Sequence, residues 1–455
     1  MAFMIKKSTL IVVVCAIALG VGLYFYQRHS SNGEATPKDK SKPAFTMQAA
    51  DITSLTIAHP GKTDEQPVQL SSQNGNWKIT QPLETDADQS AVRGIADGVA
   101  SARISETEPA APDRLKAYGL DTPRVELDFQ VKNGAKHKIL MGDKDFTGIS
   151  VYSLIDNAKT VSLLPISLYE STDKPLNDLR DRSVLHIDSS KITSVELKNP
   201  SGELDLAKQT VKDQTQWNFT KPAGARADDD SVTSLLTTVA NGKFTSVETE
   251  KADNLGKYGL ANSAISFSTV DDKGNRQTLL VGKKQGDGYL AKNASEPAVF
   301  VINNDLYKKL AQKFNDLRDK NLVHISENDV NSIEVHNANA TMDLARKAGS
   351  DFEWVVQSPA DVKGKSAATW KVFSPLTSAK AEEVIDHPSA EIQAKLAKPA
   401  VEINFIEKSG TKLSVKISAA SGDFVYGQSS ASPTVYKLKK SILDDLNFKA
   451  ADLAS

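Results

Sequence analysis

A period of about 140 residues constrains this chain more than any other feature. Asp51-Ile-Thr-Ser-Leu-Thr-Ile57 aligns with Lys191-Ile-Thr-Ser-Val-Glu-Leu197 at an offset of 140, and that segment aligns with Asp329-Val-Asn-Ser-Ile-Glu-Val335 at a further 138. The same registers bring Trp77 onto Trp217 and, with one residue lost, onto Trp354; Pro82 falls on Pro222 and Pro359. Tyr118-Gly119-Leu120 recurs as Tyr258-Gly259-Leu260, whereas a third copy keeps only the leucine, Leu396. Asn177-Asp-Leu-Arg-Asp181 recurs as Asn315-Asp-Leu-Arg-Asp319, each followed by His-Ile at His186 and His324. A fixed period of this kind is the signature of a tandem architecture. It places modules at 45–184, 185–322 and 323–455. A module of about 140 residues hides roughly two thirds of its unfolded surface, enough for a core of its own. The short spacing from one Leu-Arg-Asp to the next first strand predicts that neighbouring modules pack.

Within a module the local patterns point to an α+β fold. Arg124-Val-Glu-Leu-Asp-Phe-Gln-Val131 alternates polar and apolar residues as a strand with one wet face does, and Ile265/Phe267 and Val401/Ile403/Phe405 keep the same beat. Asp86/Asp88 and Asp228-Asp-Asp230 precede apolar residues at helical spacing: Val92, Ile95 and Val99 in one copy, Val232, Leu235, Leu236 and Val239 in the next. Each set reads as an N-capped amphipathic helix, because a carboxylate satisfies the first free N–H groups and meets the positive end of the dipole. Gly134, Gly274 and Gly410 fall between paired alternating runs, where hairpin turns belong. The expected fold is three tandem modules of antiparallel strands with one main amphipathic helix each, after an N-terminal transmembrane helix.

That helix is expected from the apolar, uncharged run Leu10–Tyr26, which follows Lys6 and Lys7. Its 17 residues lie at the short end of what crosses about 30 Å of hydrocarbon. Residues 1–9 read as a cytoplasmic leader and 27–44, rich in Ser, Gly, Pro and Lys, as a solvated tether. The run stays apolar to its end and shows no small-residue cleavage site, which favours an anchor over a removed signal peptide. Cys15, the single cysteine, falls inside it and reads as a packed thiol; one cysteine excludes a disulfide scaffold. Basic residues flank the run on both sides, so charge counting does not orient it. A basic leader before an apolar run favours a single-pass inner-membrane protein with its body in the periplasm.

Few patterns carry chemistry. With 55 basic and 57 acidic residues there is no charge excess to draw nucleic acid. Gly364-Lys365-Ser366 lacks the upstream glycine of a phosphate-binding loop and has Pro359, without an N–H, in its place. Gly282, Gly286 and Gly288 miss dinucleotide-binding spacing. The seven histidines form no metal-ligand pair, and no Gly-x-Ser-x-Gly elbow marks a hydrolase. Asp228-Asp-Asp230 lacks the spaced oxygens of a calcium loop.

The recurring polar residues read as joints between modules. Arg180, Asp181, His186, Arg318, Asp319 and His324 are candidate joint residues. Asn447-Phe448 is expected to replace Arg-Asp in the third copy, which has no module after it. Arg103, Lys243 and Lys380 share the position just past the helix, where they would complement its negative end or form a stripe for an anionic partner. Trp77, Trp217 and Trp354 are candidate core anchors. Trp370 has no counterpart and is either a lone binding aromatic or a helix-face contact of Phe373.

The frame Trp-x-[Ile/Phe]-x-x-Pro, an acid-capped helix, Tyr-Gly-Leu, and two strands closing on Leu-Met-Gly142 or Leu-Val-Gly282 resembles the bacterial family described as domain of unknown function 4340. The third copy departs by losing Tyr-Gly and the closing glycine. The resemblance implies a membrane-anchored envelope protein with envelope or ABC-transporter-associated partners, and brings no catalytic residue. The expected function is a non-enzymatic extracytoplasmic scaffold or transporter accessory, anchored through residues 10–26, acting by protein–protein contact, with no cofactor and no nucleic acid partner. The alternative is a glycan- or peptide-binding module using a cleft between modules; a hydrolase is a more distant third.

Overall fold

The computed structural model describes residues 41–211 and 214–454; the leader, Cys15, the apolar run 10–26 and most of the tether lie outside them. Among the described residues no helix is long and apolar enough to cross a membrane. The chain divides after Arg182 into two compact units, the first holding one large sheet and a two-stranded ribbon of Lys42–Pro43 with Arg103–Ile104, the second holding two large sheets.

The first sheet runs Thr85–Asp86, Asn76–Gln81, Val68–Gln73, Ile52–Ala58, Val125–Val131, Lys136–Lys144, Ser150–Ile155, Thr160–Pro165 and Thr107–Pro109, all antiparallel. The second repeats that order strand for strand, from Ala223–Arg226 through the central pair Ile192–Asn199 and Ile265–Asp271 to Ser246–Thr249. The third repeats it with eight strands, lacking a counterpart of the Thr85–Asp86 edge. Three α+β modules of antiparallel strands are therefore present. The alternation carries through: in Val125–Val131 every second side chain is buried.

Helix Gln89–Ser101 lays Val92, Ile95, Ala96 and Val99 on the first sheet, and Asp229–Ala240 lays Val232, Leu235, Leu236 and Val239 on the second. Each such set contributes on the order of 6–10 kcal/mol of burial, before the entropy of ordering is subtracted. Asp88 accepts from the N–H groups of Ser90 and Ala91, and Asp228 from that of Ser231. Helix Trp370–Ser378 in the third module starts at Thr369 without a side-chain cap and contains Pro375.

Trp77, Trp217 and Trp354 each stand at 4–5% exposure in a different one of the three main cores. The opposite face of the first two sheets carries a smaller cluster built on the Tyr-Gly-Leu turn: Tyr118 and Leu120 with Val161, and Tyr258 and Leu260 with Leu290 and Val299. This turn explains the closing glycine. A Cβ on Gly142 would lie 2.1 Å from the Tyr118 carbonyl oxygen, and one on Gly282 would lie 2.3 Å from that of Tyr258. Pairing of Val125 with Met141, Ile265 with Val281 and Val401 with Ile417 makes Ser418 the third-module equivalent. There helix Ala390–Ala397 replaces the turn, Leu396 stays buried, and no carbonyl demands a glycine.

The third copy also corrects the expected register at its end. Ala368 N donates to Leu453 O at 2.8 Å, as Asp228 N does to Leu317 O, and Ala454 bridges Ala367 as Arg318 bridges Ala227. Ala454, and not Asn447, is thus the counterpart of Arg318. Asn447-Phe448 instead lies where Asn337 Nδ2 reaches the carbonyls of Leu446 and Phe448. The misreading arose because both places follow a short helix ending in Asp-Leu.

Candidate functional site

The recurring polar residues converge where the second sheet passes to the third. Helix Phe314–Leu317 ends at Arg318 in an extended conformation, so the chain leaves it as a strand. Asp228 N donates to Leu317 O at 2.8 Å and Asp319 N to Arg226 O at 3.0 Å. This lays Leu317-Arg318-Asp319 beside the start of helix Asp229–Ala240. The first module repeats the arrangement: Asp88 N donates to Leu179 O and Asp181 N to Asp86 O, with Arg180 bridged to Ala87.

From that platform Arg318 reaches the next module. Its side chain is 9% exposed, lies 5.2 Å from the Phe314 ring centroid, and holds Asp386 with both arms, Nη1 at 2.7 Å from Oδ2. Thr434 Oγ1 adds a contact to the same carboxylate at 3.3 Å. A planar fork matches a carboxylate in a way an ammonium does not. The Arg318 hydrogen bond holds the Asp386 carboxyl below the usual carboxylate range.

A second pair runs the other way. Lys380 Nζ donates to Asp228 Oδ2 at 2.8 Å, while Oδ1 of that carboxylate caps the second module's helix. Burial alone would raise the Asp228 carboxyl, but Lys380 and the Ser231 donors outweigh it and leave it lowered. Lys380 therefore does not complement its own helix, as its position past Ser378 had suggested. It completes the cap of the preceding module. Arg103, at the same repeat position, donates to the Ser41 hydroxyl at 2.7 Å.

The backbone is fastened too, with Ala381 N on Lys320 O at 2.9 Å and Asn321 bridged to Lys380. Leu322 and Val323 already belong to the third core, as Val184 and Leu185 belong to the second. The buried Asp319 carboxylate bonds His324 Nε2 and accepts from Asn321 N at 3.0 Å. His186 lies 3.6 Å from Glu296. The two histidines thus lie beside different acids, Glu296 in the second module and Asp319 at the joint.

Beside the Arg318–Asp386 pair opens a cleft of about 640 Å³, lined by Asp386, His387, Gln393, Leu396, Lys416 and Gln428. A second hollow of about 370 Å³ shares Lys416, Gln428 and Pro433 with it. Carboxylate, imidazole, amide and ammonium groups around an apolar floor suit a polar ligand that both donates and accepts. The cleft is walled by the helix that replaced the Tyr-Gly-Leu turn. A cleft of about 510 Å³ in the second module is lined by His186, Asp188, Lys191, Asp271 and Arg276. Among the described residues no group of three or more His, Cys, Asp or Glu is placed to hold a metal ion. Gly364-Lys365-Ser366 forms a return loop, with Gly364 N on Val356 O at 2.8 Å and Ser366 bridged to Val355. Trp370 is 63% exposed at its helix start, with the Lys371 ammonium 5.6 Å from the ring centroid, while Phe373 is buried.

Sequence reasoning missed Asp386 and Asp228 as joint partners, since neither role repeats with a visible period. It also missed a recurring clamp. Buried Asn199 donates to the carbonyls of Leu310 and Gln312, as Asn337 does to Leu446 and Phe448. At the same place in the first module His59 lies between Glu65 and Asp173, at 3.0 and 3.1 Å. The signal available was the offset of 140 residues between His59 and Asn199.

With two copies of the frame now visible in three dimensions, the comparison with known families is decisive. The sequence profile described as Domain of unknown function (DUF4340) matches residues 77–216 and 217–352, more than half of the chain, in two adjacent copies. The chain belongs to the DUF4340 family. Each DUF4340 match begins at a core tryptophan, so the family period is phased on Trp77 and Trp217 and cuts across the sheets. The DUF4340 match ends before Trp354, where the third module begins to lose the frame. No curated protein matches the chain.

Proposed function

We propose that this DUF4340 protein is a membrane-anchored scaffold or transporter accessory of the cell envelope, held by residues 10–26 and acting through protein–protein contact. The observation that supports this reading most directly is the use made of its recurring polar residues. Arg318 is committed to Asp386 and Lys380 to Asp228. Such commitments fix the second and third modules to each other, which a scaffold presenting a stable surface needs. Chemistry on a substrate would need those groups free. Purification of the full chain from native membranes in mild detergent should recover it in an assembly larger than itself; a solitary chain under those conditions overturns the reading.

A second reading, binding of an extracytoplasmic glycan or peptide, is favoured by the cleft around His387, Gln393, Lys416 and Gln428, which belongs to the divergent third module. Soluble cell-wall fragments should then raise the thermal midpoint of the full chain, and Gln428→Ala should abolish that rise. No shift with any fragment removes this alternative and leaves the scaffold reading.

A further inference from the structure

The hairpin loop between Lys136–Lys144 and Ser150–Ile155 breaks the resemblance between the modules. Phe146 is 97% exposed and Ile149 70%, two of the five exposed large apolar side chains among the described residues, three positions apart on one loop. The loop is internally tied. Asp145 Oδ1 accepts from Ser150 N at 3.0 Å, Oδ2 from the Thr147 hydroxyl at 2.5 Å, and Asp145 O from Gly148 N at 3.1 Å. Ile149 O accepts from Ile166 N at 3.0 Å. Phe146 and Ile149 are thus presented on a formed support, with little ordering cost left to bind. The second module turns here through Gly286-Asp287 and the third through Ser421-Gly422-Asp423, with no large apolar residue in either turn.

The described chain begins at the same end of the first sheet. Lys42 and Pro43 pair with Ile104 and Arg103, and the adjoining Ser105 N donates to Leu163 O. That segment runs toward the Pro165 end of strand Thr160–Pro165, and Pro165 pairs with Ser150 at the base of the loop. Three strand spacings separate the loop from Lys42–Pro43, on the order of 15 Å. A Ser-, Gly- and Lys-containing stretch as long as residues 27–40 spans about 20 Å on average. The loop therefore lies within reach of whatever bilayer holds residues 10–26.

We infer that Phe146 and Ile149 form a membrane-inserting wedge that gives the first module a second, shallow contact with the lipid bilayer in which the N-terminal apolar run is anchored. This rests on the anchored reading above. Two side chains are far too few for a specific protein interface, which takes about 20–30 residues a side. They suit an interfacial contact added to an existing anchor. Asp145, bonded to the Thr147 hydroxyl and to Ser150 N, keeps the base of the loop polar.

The test uses the full chain with Phe146→Trp, reconstituted in phosphatidylcholine vesicles carrying acyl chains brominated near the headgroup. No tryptophan occurs in residues 10–26, so the parent chain supplies the background to subtract. The added emission should be quenched at least twofold relative to non-brominated vesicles, and Ile149→Asp in the same chain should remove most of that quenching. Phe352→Trp, at another exposed phenylalanine in the third module, serves as the comparison. Emission at position 146 that is unquenched while the chain floats with the vesicles after carbonate washing overturns the wedge and leaves the anchor. Emission shifted to the blue without lipid quenching assigns the loop to a protein surface and also overturns it. Loss of flotation overturns the anchor and the wedge with it.

Discussion

Arg318, at the end of the second module, holds the carboxylate of Asp386, 68 residues further on in the third, through both arms of its guanidinium. Arg318 is nearly buried and Asp386 half exposed, so the pair is neither a loose surface contact nor a fully desolvated one. Its worth should fall between those limits. Arg318→Ala is expected to cost about 1–2 kcal/mol in urea unfolding of the full chain. A double-mutant cycle with Asp386→Ala should return a coupling of about 1 kcal/mol. Additivity of the two single changes would show that the pair does not fasten the modules.

Acid should loosen the same joint. The carboxyls of Asp386 and Asp228 are both held below their ordinary value in the folded chain. A lowered folded pKa gives stability that is complete above the unfolded value, about 3.9, and is lost as pH falls through the folded one. Stability should therefore drop below about pH 4, and Asp386→Asn should flatten that drop while lowering stability at pH 7. Denaturant midpoints measured from pH 7 down to pH 3 check both.

The two duties of Asp228 are separable. Asp228→Ser keeps an N-cap oxygen for helix Asp229–Ala240 and removes the charge facing Lys380; Asp228→Ala removes both. The alanine variant should be the less stable by about 1 kcal/mol, the worth of a cap. Equal stability of the two variants would mean that the cap contributes nothing here.

Gly282→Ala should cost about 2–3 kcal/mol, because its new methyl would meet the Tyr258 carbonyl oxygen, part of a backbone that cannot step aside cheaply. Ser418→Ala, at the equivalent strand position of the third module, meets no such carbonyl and loses only the hydroxyl contacts to Tyr426 N and Ala419 O, about 1 kcal/mol. Thermal melts of both variants decide it.

Asn199→Ala leaves the carbonyls of Leu310 and Gln312 without their shared donor in a buried place, and should cost about 2 kcal/mol. Asn199→Asp keeps the shape and loses the donor, so it should be no better. A stable aspartate variant would show that the donor is dispensable.

Much of the fold could be read without coordinates, because it rests on local rules. Alternation in Val125–Val131 marks a half-buried strand, Asp88 and Asp228 mark helix starts, and the period of 140 announces the repetition. Arg318 and Asp319 stood out because they recur. The residues facing the joint from the third module did not: Asp386, which pairs with Arg318, repeats no motif, and Lys380, which pairs with Asp228, looked like a cap for the helix before it. The misplaced Asn447-Phe448 shows the same limit, since two short helices ending in Asp-Leu are alike in sequence and only hydrogen bonding to Ala367-Ala368 tells them apart. The amino-acid sequence by itself determined that one α+β module is built three times. The tertiary structure alone decided which charges meet between the second and third modules, why Gly142 and Gly282 travel with Tyr-Gly, and that Phe146 and Ile149 stand in the open. Periodicity records what neighbours along the chain do together, whereas a fork closing on a distant carboxylate depends on where two separate sheets come to rest.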